Sequence, residues 1–356
     1  MHLKFINVSL YFNNFGFGFG FNNYYNNIKN FYLVNSSINN FHSKSTNKIT
    51  LQLGAYLAGL IEGAGTFAVH NTTSTAKKYL PMIIIVFKKA DLPLAEYLQN
   101  ITQCGKVYLK TNRGYVIWEI QDLVSVFTMV TIINGYMRTP KIIGLQRTIQ
   151  WFNLYIKNNQ NSRLSKTKLN LDKIYPLEVK PLDNSPVDSN SWLAGFSDAI
   201  ANFSINIHER SNKNSTRVKL FFRLEIKQNY HRLDPEGVKV SYFSIMSILA
   251  NFLDVNVYSK SRISKDKQFY SFNVICTNKN SLLKITEYFN KFPLLSSKYL
   301  DYKDWCYLLE LQSLSGVKTI TTSYLDQALN IRKDFNNTRT TYYWDHLSKI
   351  IVNYNK

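Results

Sequence analysis

Acidic residues are scarce in this chain: 23 Asp and Glu stand against 43 Lys and Arg, the formal charge is +20, and no acid occurs before Glu62. So large an imbalance makes a polyanion the default partner. Nucleic acid fits better than an anionic membrane surface, because the basic residues alternate along strand-like segments instead of lining one amphipathic helix. Cysteine is rare too. Cys104, Cys276 and Cys306 lie far apart without metal-like pairing, which argues against a disulfide scaffold or a zinc site and for buried thiols in a reducing compartment. Long hydrophobic runs are missing: the stretch from Leu51 to Ile61 is too short to cross a bilayer and is broken by Gln52. No Arg-rich amphipathic presequence is evident.

What the chain does have is one helical signature written twice. Leu57-Ala58-Gly59-Leu60-Ile61-Glu62-Gly63-Ala64-Gly65 returns as Leu193-Ala194-Gly195-Phe196-Ser197-Asp198-Ala199-Ile200-Ala201, about one half-domain later. Gly54, Ala55, Ala58 and Gly59 place small side chains on one helical face, and Ser191, Ala194 and Gly195 do the same in the second copy. Two such helices can bring their backbones close together.

The paired signature resembles the motif of the LAGLIDADG homing endonucleases and intron-encoded RNA maturases, and the resemblance extends over roughly residues 48 to 350. It implies an α+β fold of two pseudo-symmetric αββαββα half-domains with saddle-like antiparallel sheets, in one monomeric chain. Both copies depart from the motif at its eighth place, where the family's acid is replaced by Ala64 and Ile200. The second copy departs further at Ser197 and Ala201.

The order of segments agrees with two such halves. After the first motif helix come strands around Thr66 to His70 and Leu80 to Lys88 and a helix near Leu92 to Thr102. Strands over Lys106 to Asn112 and Tyr115 to Gln121 turn at Arg113-Gly114, and helices near Leu123 to Asn134 and Pro140 to Ile156 follow. The second half repeats this with strands near Phe203 to Arg210 and Arg217 to Gln228 and a helix over Val240 to Leu253. Strands over Val257 to Ile263 and Gln268 to Cys276, then helices near Ser281 to Phe289 and Ser296 to Leu314, complete it. The expected division is a low-complexity, disordered extension over 1–46, a first half-domain over 47–158, a linker over 159–188 marked by Pro176, Pro181 and Pro186, and a second half-domain over 189–356. Gly16, Gly18 and Gly20 lack the strand–turn–helix context of a phosphate cradle. The segment Asn336 to Leu347 resembles the closing segment of mitochondrial family members.

The candidate binding surface is clearest in the second half. Val218, Leu220, Phe222, Leu224 and Ile226 alternate with Arg217, Lys219, Phe221, Arg223, Glu225 and Lys227, and the preceding strand sends Asn206, His208 and Arg210 outward. Such a face can meet phosphates and base edges together. The hairpin tip adds Lys260, Arg262, Lys265 and Lys267, and the first half offers Lys88, Lys89, Lys106, Lys110 and Arg113. His70 and His208 follow the two motif helices at similar offsets, consistent with a ligand-facing or a structural role.

In nuclease members, the resemblance implies, the eighth-position acids hold divalent metal beside the scissile phosphates. Neither Ala64 nor Ile200 carries an oxygen ligand. Glu62 and Asp198 remain in the sixth place, but two residues along a helix turn a side chain by roughly 200°, toward the helix end or the interface. Lys141, Lys298 and Gln228 match polar residues the family keeps near its cleavage centre. The expectation is a catalytically inactive nucleic-acid binder that assists group I intron splicing as an RNA maturase. It needs no cofactor for binding, and Mg²⁺ only if nuclease activity persists. The alternatives are a residual DNA endonuclease or nickase acting on duplex DNA, and a structural subunit of a mitochondrial ribonucleoprotein or ribosome. An abundance of Asn, Ile, Lys, Phe and Tyr, whose codons are rich in A and T, hints at a fungal mitochondrial genome and a matrix location.

Overall fold

Periodicity resolves into two similar halves in the computed structural model, which describes residues 46–210, 215–264, 267–314 and 322–348. The extension before residue 46 and Lys265 of the hairpin tip lie outside the described residues. In the first half, α1 (Thr46–Ala64) carries the first signature and leads into β1 (Gly65–Ala68), β2 (Met82–Lys88), α2 (Leu92–Thr102), β3 (Lys106–Lys110), β4 (Tyr115–Ile120), α3 (Leu123–Ile133) and α4 (Ile142–Asn159). A short helix, α5 (Ser165–Leu171), falls in the connecting segment. The second half runs through α6 (Trp192–Ile200), β5 (Ala201–Arg210), β6 (Ser215–Lys227), β7 (Asn229–Leu233), β8 (Lys239–Ser241), α7 (Phe243–Leu253), β9 (Val257–Ser264), β10 (Lys267–Cys276), α8 (Lys279–Lys291) and α9 (Lys298–Leu314). α10 (Thr322–Lys333) and α11 (Asp345–Ser348) follow.

Each half folds an antiparallel four-stranded sheet in the same order, β1-β2-β4-β3 and β5-β6-β10-β9. The repeat extends to helix ends. Asp122 caps α3 by accepting from the Ser125 N–H at 2.8 Å, and Asn278 caps α8 by accepting from the Ser281 N–H at 2.9 Å. α2 and α7 both stop at a left-handed residue, Gln103 and Asp254.

Strand alternation buries one face of each sheet under helices. Ile83, Ile85, Phe87, Val116, Trp118 and Ile120 form that face in the first half, and Val218, Leu220, Phe222, Leu224, Val274 and Cys276 form it in the second. Phe203, Phe222, Phe289, Tyr302 and Trp305 join the second sheet to α8 and α9 through tilted and edge-on ring contacts.

Three features differ from expectation. Residues 240–242 do not begin a helix; Val240 lies in a two-stranded ribbon, β7–β8, that has no counterpart in the first half, where only a 3-10 turn separates β2 from α2. The connecting segment is not free spacer: Asn153 exchanges two hydrogen bonds with Leu177, Asn134 holds Glu178 and Lys180, and Arg138 pairs with Asp183 at 2.7 Å. Finally, Gly54 does not face the second motif helix. A Cβ there would strike the Ile132 carbonyl and the Tyr136 ring, so this glycine serves the approach of α1 to α3.

Candidate nucleic-acid interface

The centre of the molecule is built where α1 and α6 cross. A Cβ on Gly59 would collide with the Trp192 carbonyl oxygen, and one on Gly195 with the Tyr56 carbonyl oxygen. Only glycine permits that approach. Gly63 extends the seam onto Ala199, while Ala55, Ala58, Ser191 and Ala194 are buried.

The sixth-position acids are fixed in this seam. Glu62, wholly buried, accepts from the backbone N–H of Arg138 and of Thr139 and from the indole N–H of Trp192 at 2.6 Å. Asp198 accepts from the Tyr56 hydroxyl, the Leu295 N–H and the Ser296 hydroxyl. Burial pushes both carboxyls above the usual carboxylate range, opposed by these donors. The donors sit at matching registers: Tyr56 and Trp192 each precede their signature by one residue, and Thr139 and Ser296 each stand two before a lysine. That register is the signal by which sequence reasoning could have found Tyr56 and Trp192.

The two lysines, Lys141 and Lys298, close the motif helices. Lys141 Nζ donates to the carbonyls of Ile61 at 3.0 Å and Gly65 at 2.6 Å; Lys298 Nζ donates to those of Ser197 at 3.0 Å and Asp198 at 2.7 Å. An ammonium there satisfies orphan carbonyls and complements the negative end of the helix dipole. Burial, the largest cause, lowers both lysines to about 8, and Lys227 and Lys88 add repulsion on Lys141 and Lys298 respectively. The Gln228 amide donates to the Ser259 hydroxyl at 2.6 Å. A cavity of about 80 Å³ beside Ala64 is lined in part by Lys88, Asp91, Asp198 and Lys298.

Outside the seam, each sheet turns a second face away from its helices. In the second half Arg217, Lys219, Arg223 and Lys227 of β6 share that face with Asn206 and His208 of β5 and with Lys267 of β10. Lys260 and Arg262 of β9 join it, Lys260 against Glu225 at 3.4 Å and Arg262 over the Phe269 ring. Arg210 ends β5 opposite Ser215. The first face is less basic. Lys88, Lys106 and Lys110 lie on it among Ile84, Val86, Tyr108, Tyr115 and Ile117, with Glu119 opposite Lys106. Lys89 stands in the following 3-10 turn, Arg113 at the hairpin tip beside the Tyr115 hydroxyl, and His70 is exposed beyond β1.

The pattern of the LAGLIDADG endonuclease family matches residues 57–152 and 193–309, covering both halves of this architecture. The chain belongs to that family. It is 46% identical over 306 residues to the intron-encoded DNA endonuclease aI3 of Saccharomyces cerevisiae, spanning 83% of this chain and 72% of the relative. It is 30% identical over 279 residues to an uncharacterized cox1 intron-2 protein of 37.2 kDa from Schizosaccharomyces pombe, spanning 78% of this chain and 70% of that one. Among solved structures, the LAGLIDADG meganucleases I-AabMI, bound to uncleaved DNA, and I-SmaMI, bound to uncleavable DNA, superpose with TM-scores of 0.55 and 0.57. Each has 18% identity and covers 80% of this chain and 99% of the other. At that identity the likeness concerns the fold.

LAGLIDADG endonucleases cleave with divalent metal, and the residues of this chain do not fit one at the eighth position. Ala64 and Ile200 are hydrocarbon, both half-buried. The carboxylates of Glu62 and Asp198 are consumed by seam donors, and the carbonyls at the helix ends hold ammonium groups. A hard cation needs free oxygen ligands. Among the described residues no group of three or more His, Cys, Asp or Glu is disposed to hold a metal ion, and no helix is long and apolar enough to cross a membrane.

Proposed function

We propose that the chain is an intron-encoded, nucleic-acid-binding LAGLIDADG protein that has lost nuclease activity and acts as an RNA maturase for a group I intron in fungal mitochondria, in the matrix. One observation carries this: the cationic sheet faces and closing lysines are kept, while the two positions that would present metal ligands are Ala64 and Ile200. A maturase supplies no chemistry. The folded intron performs transesterification, and the protein stabilises its active shape by binding it in preference to misfolded forms. Phosphate and 2′-hydroxyl contacts from a basic sheet suit structured RNA as well as duplex DNA.

The competing function is DNA cleavage, supported by the name of the yeast relative, a DNA endonuclease, and by the DNA-bound state of the structural neighbours. Purified protein separates the two. The maturase function expects accelerated splicing of the host intron at limiting Mg²⁺ and intact intronless target DNA with Mg²⁺ or Mn²⁺. Metal-dependent cutting of that DNA by the unmodified protein overturns it.

A further inference from the structure

The shared strand order lets the outward faces of the two sheets be compared position by position. Gly65 of β1 stands opposite Ile85 and Ala201 of β5 opposite Leu224, each at the ninth place of its signature. From these anchors, cross-strand rows on one face answer rows on the other. Lys88–Tyr115–Lys110 matches Lys227–Ser271–Lys260, and the next row, Val86–Ile117–Tyr108, matches Glu225–Asn273–Tyr258. This second pair of rows differs in kind. In the second half it holds a carboxylate, a carboxamide and a phenol, and neither amide atom of the buried Asn273 has a hydrogen-bond partner. In the first half it holds two branched hydrocarbons and a ring, with Val86 45% exposed and Ile117 and Tyr108 half-buried. Met82 and Ile84, also half-buried, continue the hydrocarbon along β2. Cations frame this row. Lys88 and Lys110 flank Tyr115, the Lys110 ammonium lies over the Tyr108 ring at 5.3 Å, and Arg113 donates to the Tyr115 hydroxyl at 3.4 Å. The one acid at these positions, Glu119, stands opposite Lys106.

A nucleic-acid duplex has little to set against such a row. Its grooves present polar base edges, with the thymine methyl as the apolar exception, and the major groove of A-form RNA is too deep and narrow for side chains to read. An unpaired base instead offers an apolar face to cover Val86 and Ile117 and a π-surface for Tyr108. We infer that the row Val86–Ile117–Tyr108 is a stacking site for an unpaired nucleotide of RNA, with the neighbouring phosphates on Lys88 and Lys110, while the second-half face takes a paired stem through its cations. This rests on the RNA-binding function proposed above and names the part of the RNA that each half receives. The pseudo-symmetric scaffold then recognises a loop and a stem instead of two like half-sites.

The test uses the full chain with three probes built on one stem: an RNA hairpin carrying 2-aminopurine in an unpaired loop, the same RNA stem fully paired, and the DNA hairpin of the same sequence. The expected result is that the RNA hairpin binds about tenfold or more tighter than the paired stem and that its 2-aminopurine emission is quenched on binding. Tyr108→Ala and Ile117→Asn, the latter installing the residue of the second-half row, should each erase most of this preference and of the quenching. Tyr108→Phe keeps the ring and should retain both. Should Ile117→Asn fail to fold, Tyr108→Ala on the edge strand β3 and its phenylalanine control still decide. Equal affinity for hairpin and paired stem, or a preference that survives Tyr108→Ala, overturns the site. A DNA loop bound as tightly and quenched as fully overturns the assignment to RNA. Loops left unquenched while Lys219→Ala, Arg223→Ala and Lys227→Ala together still weaken binding would leave the apolar row to a protein partner and overturn the inference. Failure to bind the paired RNA stem as well as the hairpin overturns the function proposed above, a result read separately from the loop preference.

Discussion

Trp192 donates its indole N–H to Glu62 across the seam at 2.6 Å, and the opposite half answers with the Tyr56 hydroxyl on Asp198 at 2.8 Å. Each motif helix therefore carries its own acid and the donor for its partner's acid. This swap ties the halves more specifically than apolar contact would, because a buried carboxylate one donor short bears its desolvation cost. Tyr56→Phe, which keeps the ring in place, is expected to destabilise the protein by about 1–3 kcal/mol, and Trp192→Phe by more, because it also leaves a cavity at a fully buried site. Denaturant melts check this; unchanged midpoints would show that the bonds add nothing.

Backbone contact at the crossing makes a second prediction. Gly59→Ala or Gly195→Ala puts a Cβ onto a carbonyl of the other helix, where no side chain can move aside, so each should cost about 1–3 kcal/mol or more. The corresponding leucine variants should unfold the protein or separate its halves. Thermal melts and sedimentation report this directly. Gly114→Ala, at a left-handed turn with open space around it, is the control for backbone strain alone.

Lys141 and Lys298, held near 8, set a pH dependence. The unfolded chain retains these protons up to its ordinary lysine value of 10.5, so between about 8 and 10.5 it binds more protons than the folded chain. Their contribution to unfolding free energy consequently rises with pH through that window. Burial pushes up the thiols of Cys104, Cys276 and Cys306, which work the other way once unfolded cysteine ionises, at about 8.5, and buried tyrosines do so at about 10, so the slope should be read between about 8 and 8.5. Replacing both lysines by Met should flatten it. A slope that survives the double replacement assigns the effect to other groups.

Cationic residues on the second sheet should govern salt dependence. Lys219→Ala, Arg223→Ala and Lys227→Ala together should weaken binding to structured RNA or duplex DNA, and lower the slope of log K against log salt by up to about 2.7 for three lost phosphate contacts on B-form DNA. An unchanged slope removes this sheet from the interface.

Restoring chemistry should take both halves. Ala64→Asp alone leaves Ile200 without an oxygen, so it should yield at most a nick in one strand. Ala64→Asp with Ile200→Asp and Ala201→Gly is the smallest change that rebuilds both sites. The measurement is conversion of supercoiled intronless target to nicked or linear DNA with Mg²⁺. A double-strand break by the single revertant would show that one acid suffices and that Ile200 is no obstacle.

Much of this protein was legible from residue order. Strict alternation along β6 named its buried and exposed faces without tertiary information, because a strand sends successive side chains to opposite sides. The repeated signature announced two related halves, and helices such as α2, bounded by Leu92 and Thr102, carried enough apolar spacing to be placed directly. The departures at Ala64 and Ile200 were equally plain. The ribbon β7–β8 was not, since a short two-stranded element beside a helix has too few residues for either periodicity to assert itself. Nor could sequence show that Gly54 belongs to α3 and not to the seam, that Gln228 turns to Ser259, or that Lys141 and Lys298 spend their ammonium groups on the carbonyls of the motif helices. Those facts depend on contacts between residues up to 101 positions apart. The chain dictates which side chains are available on each face. Only the crossing of α1 and α6 decides which of them meet.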